Sequence, residues 1–356
     1  MKSLSAHRDR KWMNVLLAAA GALVAAQAWA ADAGSAGCGA APPKSGTYTM
    51  THDGVTRSYG LSLPAGYDAH HPARLVLAFH GWSGDEREFL GDETVVKEAS
   101  RRGYIVAAPR GLGSGAPDHG NNSWTFLGSA TGVVGTGSQS TPICDTSITP
   151  DYTYSSCRSG RALNTCSWTQ CQDDDVGFVS ALIDHLEATL CIDTHHVFAT
   201  GGSNGGMFTW ELGTNPLTAA RLRAIAPIIG LPHRGDLRPP GRPGGMPALL
   251  VTGTADIVVP PGKWDDPEFT TTSNDRDRFY YTGATAIIRT WSRAAACPID
   301  GKERPFSTGY AAAECRSYCA AKDGTWPLVL DCRAPMGHDY QLGWSWKLVM
   351  DFFDRL

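Results

Sequence analysis

The chain has 356 residues, ten cysteines, and 31 basic against 35 acidic residues, for a net charge of −4 with histidine neutral. That balance offers no excess of positive charge to attract nucleic acid or an anionic membrane. The length is large for one core but fits a single α/β domain carrying insertions.

Lys2, Arg8, Arg10 and Lys11 precede an apolar run over 15–26 that ends at Ala28-Trp29-Ala30. This order of charge, apolar stretch and small residues reads as a secretory signal peptide over residues 1–30, cleaved near Ala30. The apolar run falls short of the ~20 residues needed to span a bilayer. Four basic residues and Asp9 leave with the leader, so the net charge of the mature chain becomes −7. All ten cysteines follow the cleavage point, and an even number in an exported chain implies disulfides, up to five. The expectation is a secreted monomer in which residues 31–356 form one catalytic domain, with no bound metal or cofactor and no contact with nucleic acid or, after cleavage, with the membrane.

Residues 47–50 and 55–63 are short β-like runs around Asp53-Gly54, a pair suited to the positive φ of a tight hairpin turn. Residues 74–79 and 104–108 are continuous apolar runs, as expected of strands buried on both faces of a parallel sheet. Between them, 86–102 reads as one helix with Phe89, Leu90, Val95 and Val96 inward and Gly103 just past its end. From 111 to 172 the composition turns to Gly, Ser, Thr and Cys without a regular period. We read 111–172 as a disulfide-rich insertion at the rim of a site, with Trp124, Tyr152, Tyr154 and Trp168 facing a substrate, because cross-links can order a segment with few apolar residues.

Asp173, Asp174 and Asp175 then supply cap acceptors and first-turn negative charge to a helix bearing Val176, Val179, Leu182, Ile183, Leu186 and Leu190. Strand-like runs recur at 197–200, 224–229, 248–251 and 328–330, with helical stretches at 207–212, 281–296 and 344–353. Strands alternating with helices predict an α/β fold with a mostly parallel, doubly covered sheet.

Gly201-Gly202-Ser203-Asn204-Gly205 is the only G-x-S-x-G in the chain. It follows a strand and opens a helix, the setting of a nucleophile elbow, in which a strained turn lifts a serine hydroxyl off the sheet edge. A serine hydroxyl needs a neighbouring base, and the base needs an acid that holds its tautomer. In folds built around such an elbow, the acid and then the histidine follow the serine along the chain. Asp256 lies just beyond the strand at 248–251, and His338 is the only histidine after it. The oxyanion of acyl transfer requires two backbone donors. Asn204 N–H is one, and Trp82 N–H, in the loop after the strand at 74–79, is the other. His80 is expected to be structural, and His233 is the one rival to His338, against the chain order.

The combination F-H-G-W-S-G, D-D-V-G-F, C-I-D, G-G-S-N-G-G-M, G-T-A-D-x-x-V-P, G-H and the closing D-F-F resembles the polyhydroxybutyrate depolymerase and feruloyl esterase group, related to family 1 carbohydrate esterases. The resemblance runs from about Cys38 to Leu356. It implies an α/β-hydrolase fold, secretion and hydrolysis of carboxylic esters through an acyl-enzyme on Ser203, with Asp256 and His338 as acid and base. The substrate would be a hydroxycinnamoyl ester of plant polysaccharide or a short, possibly polymeric, polyester such as polyhydroxybutyrate. The chain departs from the pattern at Gly202, where many relatives carry Met or Cys, and at Gly337-His338-Asp339-Tyr340-Gln341, where many have G-H-x-W-P. Two other readings stand behind this one. A serine peptidase of prolyl-oligopeptidase type shares the triad order but usually has a propeller, and no repeated blade pattern is present. A non-catalytic binding protein on a hydrolase scaffold would not need a competent residue at every triad position.

Overall fold

The computed structural model describes residues 34–113, 121–152, 154, 164–171, 174–264, 269–320 and 325–356. The leader expected at 1–30 lies outside these residues. No described helix is long and apolar enough to cross a membrane.

In chain order the strands are β1 (Gly46–His52), β2 (Val55–Ser62), β3 (Ala73–Phe79), β4 (Tyr104–Pro109), β5 (Val133–Val134), β6 (Thr141–Pro142) and β7 (Ile192–Gly202), followed by β8 (Ala224–Ile228), β9 (Ala248–Gly253), β10 (Thr270–Thr272), β11 (Tyr280–Thr282), β12 (Arg304–Phe306), β13 (Glu314–Ser317) and β14 (Val329–Ala334). The helices are α1 (Arg87–Leu90), α2 (Glu93–Arg101), α3 (Asp175–Thr189), α4 (Asn204–Thr214), α5 (Pro216–Ala219), α6 (Ala284–Ala294) and α7 (Leu342–Phe353). Ten strands join in one sheet in the order β1-β2-β4-β3-β7-β8-β9-β14-β13-β12. The six from β4 to β14 run parallel. The β1–β2 hairpin and the β13–β12 pair extend the two edges antiparallel. This is an α/β-hydrolase architecture.

Alternate residues of β3 explain why its sequence is apolar throughout. Leu75, Leu77 and Phe79 enter one apolar layer with Phe178 and Leu182 of α3, Phe208 and Leu212 of α4 and Trp291 of α6. Val76 and Ala78 enter a second layer with Val95 and Ala99 of α2 and Trp346, Val349 and Phe353 of α7. A strand covered by helices on both sides has no solvent face, so the polar half of the usual alternation is missing.

Three features differ from the sequence reading. The single helix expected at 86–102 is two, because Asp92 adopts an extended backbone and its carboxylate accepts from Thr94 N–H and Val95 N–H, capping a new helix. Strands β12 and β13 carry no alternation that would reveal them. The register of β13 on β14 is pinned covalently, since Cys315 and Cys332 are directly opposed and form a disulfide. The described part of the insertion, finally, contributes large side chains to the core. Trp124, Phe126, Ile143, Cys144, Cys166 and Trp168 all belong to the larger core layer.

Disulfides also join Cys38 to Cys191, Cys144 to Cys166 and Cys297 to Cys319. Cys171 is disulfide-bonded as well, no described cysteine is free, and Cys157 lies outside the described residues. Of the acidic triplet, Asp174 caps α3 by accepting from Gly177 N–H. Asp175 is buried against Arg57 at 2.6 Å, and Asp173 lies outside the described residues.

Candidate active site

In a parallel sheet all strands end on one side, so the loops after β3, β7, β9 and β14 converge. Those loops carry Trp82, Ser203, Asp256 and His338. Ser203 joins β7 to α4 with φ 51° and ψ −117°, a backbone that costs a non-glycine residue about 1–3 kcal/mol. The turn is held by Ser203 N–H donating to Ile228 O and by Met207 N–H donating to Ser203 O, both at 2.9 Å. Close packing of β3 against the turn sets one glycine: a Cβ on Gly205 would lie 2.1 Å from Phe79 O.

Asp256 is buried. Its Oδ1 accepts from Val258 N–H and Val259 N–H, each at 2.8 Å, and its Oδ2 lies 2.8 Å from His338 Nδ1. A carboxylate so placed can only accept, so Nδ1 carries the ring proton and Nε2 is left with its lone pair. That Nε2 lies 2.8 Å from Ser203 Oγ. The acid loop and the base loop are also tied by backbone, through Thr254 N–H to Ala334 O and Ala255 N–H to Met336 O. The structure therefore brings Ser203, His338 and Asp256 into one hydrogen-bonded line.

Neither Asn204 N–H nor Trp82 N–H donates to any protein acceptor among the described residues. Asn204 is the first residue of α4, where an N–H has no intrahelical partner. Its side chain clamps the insertion, with Oδ1 accepting from Trp124 N–H and Nδ2 donating to Trp124 O. Trp82, Ser203 and His338 face a common open cleft of about 610 Å³, whose wall also includes Glu88, Asp92, Val258, Asp339, Tyr340 and Leu342.

Trp124 and Trp168 do not face this cleft. Trp124 is fully buried, stacked 5.1 Å from Phe208 and edge-on to Phe79, with Nε1 donating to His80 O. Trp168 is buried and donates Nε1 to His233 Nε2 at 3.1 Å. A segment poor in apolar residues needs its large aromatics as anchors, each burying roughly 150–250 Å². Tyr154 is likewise buried, and its hydroxyl accepts from Trp82 Nε1–H, while Tyr152 stands edge-on to Trp82.

His80, expected to be structural, and His233, the rival to His338, both have their ring nitrogens engaged elsewhere. His80 Nδ1 donates to Gly81 O, and Nε2 accepts from Gly111 N–H. His233 accepts from Trp168 and lies between Phe126 and Tyr281. Burial lowers the pKa of each to about 4, so both rings are neutral at ordinary pH.

The residues that sequence reasoning missed are Glu88 and Tyr340. Tyr340 carried a signal, because it falls at one of the two departures from the family pattern. The other is Gly202, and the two meet in space: a Cβ on Gly202 would lie 2.2 Å from the Tyr340 ring. The two departures are a single packing feature.

No protein-family model matches the chain. Feruloyl esterase D of Neurospora crassa is 28% identical over 210 residues, covering 58% of this chain and 58% of that protein. Feruloyl esterase C of Emericella nidulans is 25% identical over 207 residues, covering 56% and 54%. The chain thus spans a little over half the length of the curated relatives it matches. An acetyl xylan esterase from Aspergillus awamori shares the fold, with a TM-score of 0.50 at 12% identity over 87% of this chain and 100% of that one. This chain is an α/β-hydrolase whose sequence is similar to the feruloyl esterases.

Proposed function

We propose that the protein is a secreted serine carboxylic ester hydrolase, with residues 31–356 as its catalytic domain. The observation that carries the reading is the Asp256–His338–Ser203 line, with both links at 2.8 Å, opening on the cleft. Ser203 Oγ attacks the ester carbonyl carbon as its proton passes to His338 Nε2, and Asp256 stabilises the imidazolium that forms. The charge gathering on the carbonyl oxygen is met by Asn204 N–H and Trp82 N–H. The alcohol leaves with the proton from His338, and water repeats the sequence on the acyl-enzyme to release the acid. Disulfides support an exported site of action.

Among the possible substrates, a hydroxycinnamoyl ester is favoured over a polyester oligomer. Relatives named as feruloyl esterases support this, and so does the cleft wall. Trp82, Tyr340, Val258 and Leu342 offer apolar and aromatic surface to a planar ring, whereas Glu88, Asp92 and Asp339 line the same cleft without a Lys or Arg among its described lining residues. A hydroxybutyrate oligomer ending in a carboxylate would meet like charge there. A panel of p-nitrophenyl acetate, methyl ferulate and hydroxybutyrate trimer tests this: the first two should be hydrolysed, and methyl ferulate should have the higher kcat/KM of the last two. A faster trimer would reverse the substrate order, and no turnover of any ester would overturn the enzyme class.

A further inference from the structure

Glu88 stands on the four-residue helix α1, in the wall of the cleft, and no step above uses it. Its Oε1 accepts from Gly81 N–H at 2.8 Å, so the residue before Trp82 is fastened to a carboxylate. The hydroxyl of Tyr340, two residues beyond His338, lies beside the same carboxylate. That hydroxyl also fills the space a side chain at position 81 would need, since a Cβ on Gly81 would lie 2.1 Å from it. The Tyr340 ring meanwhile occupies the space over Gly202, next to the nucleophile. One contact in the cleft wall therefore links the loop of Trp82, the loop of His338 and the residue before Ser203.

With this geometry resting on the reading of Ser203 as nucleophile, we propose that Glu88 is the positioning residue of the oxyanion loop. By engaging Gly81 N–H and the Tyr340 hydroxyl together, it turns the next amide, Trp82 N–H, toward the reacting oxygen. Glu88 anchors the peptide plane that carries Gly81 N–H, and His80 Nδ1–H, donating to Gly81 O at 2.6 Å, anchors the next plane, which carries Trp82 N–H. Partial burial raises the carboxyl of Glu88 above its ordinary value, as it does the Tyr340 hydroxyl.

The consequence is confined to the transition state, where the carbonyl oxygen carries charge. Glu88→Ala should lower kcat about 10- to 100-fold, the scale of a misplaced donor, with KM held within about threefold. Glu88→Gln keeps an acceptor for Gly81 N–H and should recover most of that loss. Tyr340→Phe should lower kcat by a smaller factor. Active sites are counted first by the p-nitrophenol burst, so a misfolded fraction does not count as lost catalysis. The rate of Ser203 labelling by a fluorophosphonate gives a second readout and should fall in parallel with kcat. A folded Glu88→Ala with per-site kcat and labelling rate within twofold of wild type overturns the proposal, as does a loss that lies wholly in KM. If Glu88→Ala does not fold, unchanged kcat in Tyr340→Phe overturns it. A wild-type protein that the fluorophosphonate does not label overturns the Ser203 reading, and this proposal with it.

Discussion

The six parallel strands and the described residues between 121 and 171 lie side by side in one core but are held by different means. In the strands, backbone groups satisfy one another along the ladders, and apolar side chains on both faces exclude water. Among the described residues of the insertion only β5 and β6 pair regularly, over two residues each. Its backbone is instead caught by side chains of the framework. Thr125 N–H donates to Asp175 Oδ2 at 2.7 Å, Leu127 N–H to Glu211 Oε2 at 3.0 Å, and Trp124 N–H to Asn204 Oδ1 at 2.7 Å. A repetitive sheet tolerates the loss of any one bond, whereas the insertion hangs on a few specific residues. Asn204, next to Ser203, is one of them, so the insertion is joined to the turn that carries Ser203.

The sharpest way to separate chemistry from architecture is Ser203→Ala. It should lower kcat/KM on p-nitrophenyl acetate by ~10⁴ or more while leaving the thermal midpoint nearly unchanged, because only the hydroxyl is removed. His338→Ala should cost at least as much activity as Asp256→Ala. An active His338→Ala beside a dead His233→Ala would break the assignment.

A seam residue should show the reverse pattern, with stability lost before chemistry. Asp175 bonds both Arg57 and Thr125 N–H, and the Arg57 and Asp175 side chains are 2% and 0% exposed. Asp175→Ala leaves a buried guanidinium unpaired, at a cost of about 3–5 kcal/mol. Urea unfolding reads that loss, and a change under 1 kcal/mol would mean that the insertion does not depend on this carboxylate.

Acid should probe both regions at once through His80 in the framework and His233 at the seam. Each has its folded pKa lowered from 6.5 to about 4, so the unfolded chain binds more protons in that interval. Their contribution is complete above pH 6.5 and is lost as pH falls toward 4, by up to about 3 kcal/mol each. Two ring signals should accordingly titrate near pH 4 in the folded protein by NMR. Titration of both near pH 6.5 would contradict their burial.

The smallest expected effect belongs to the Cys144–Cys166 bond, which closes a loop within the insertion. Replacing both by Ser should cost about 3 kcal/mol by the chain-entropy argument. Proteolysis should then begin within 121–171 while the parallel strands resist. Simultaneous loss of both regions would show that they unfold as one unit.

Particular residues show what could be read from the chain alone. The apolar runs of β3, β4, β8 and β9 declare themselves because burial on both faces leaves no polar position. Ser203, Asp256 and His338 could be picked out because each follows a strand within a few residues, after β7, β9 and β14, and their expected order is constrained. The split at Asp92 was in principle visible as a cap, but its neighbours kept a helical period. Trp124 and Trp168 misled, because an aromatic in a Gly/Ser-rich segment looks the same in sequence whether it faces a ligand or anchors the segment. The sequence by itself determined the parallel sheet and the chain order of nucleophile, acid and base, since both follow from local pattern and spacing. Only the tertiary structure decided where the insertion's aromatics go, how Tyr340 fills the space above Gly202, and which carboxylate holds Gly81. Those contacts join residues up to 259 positions apart, as Gly81 and Tyr340 are, and no local period records them.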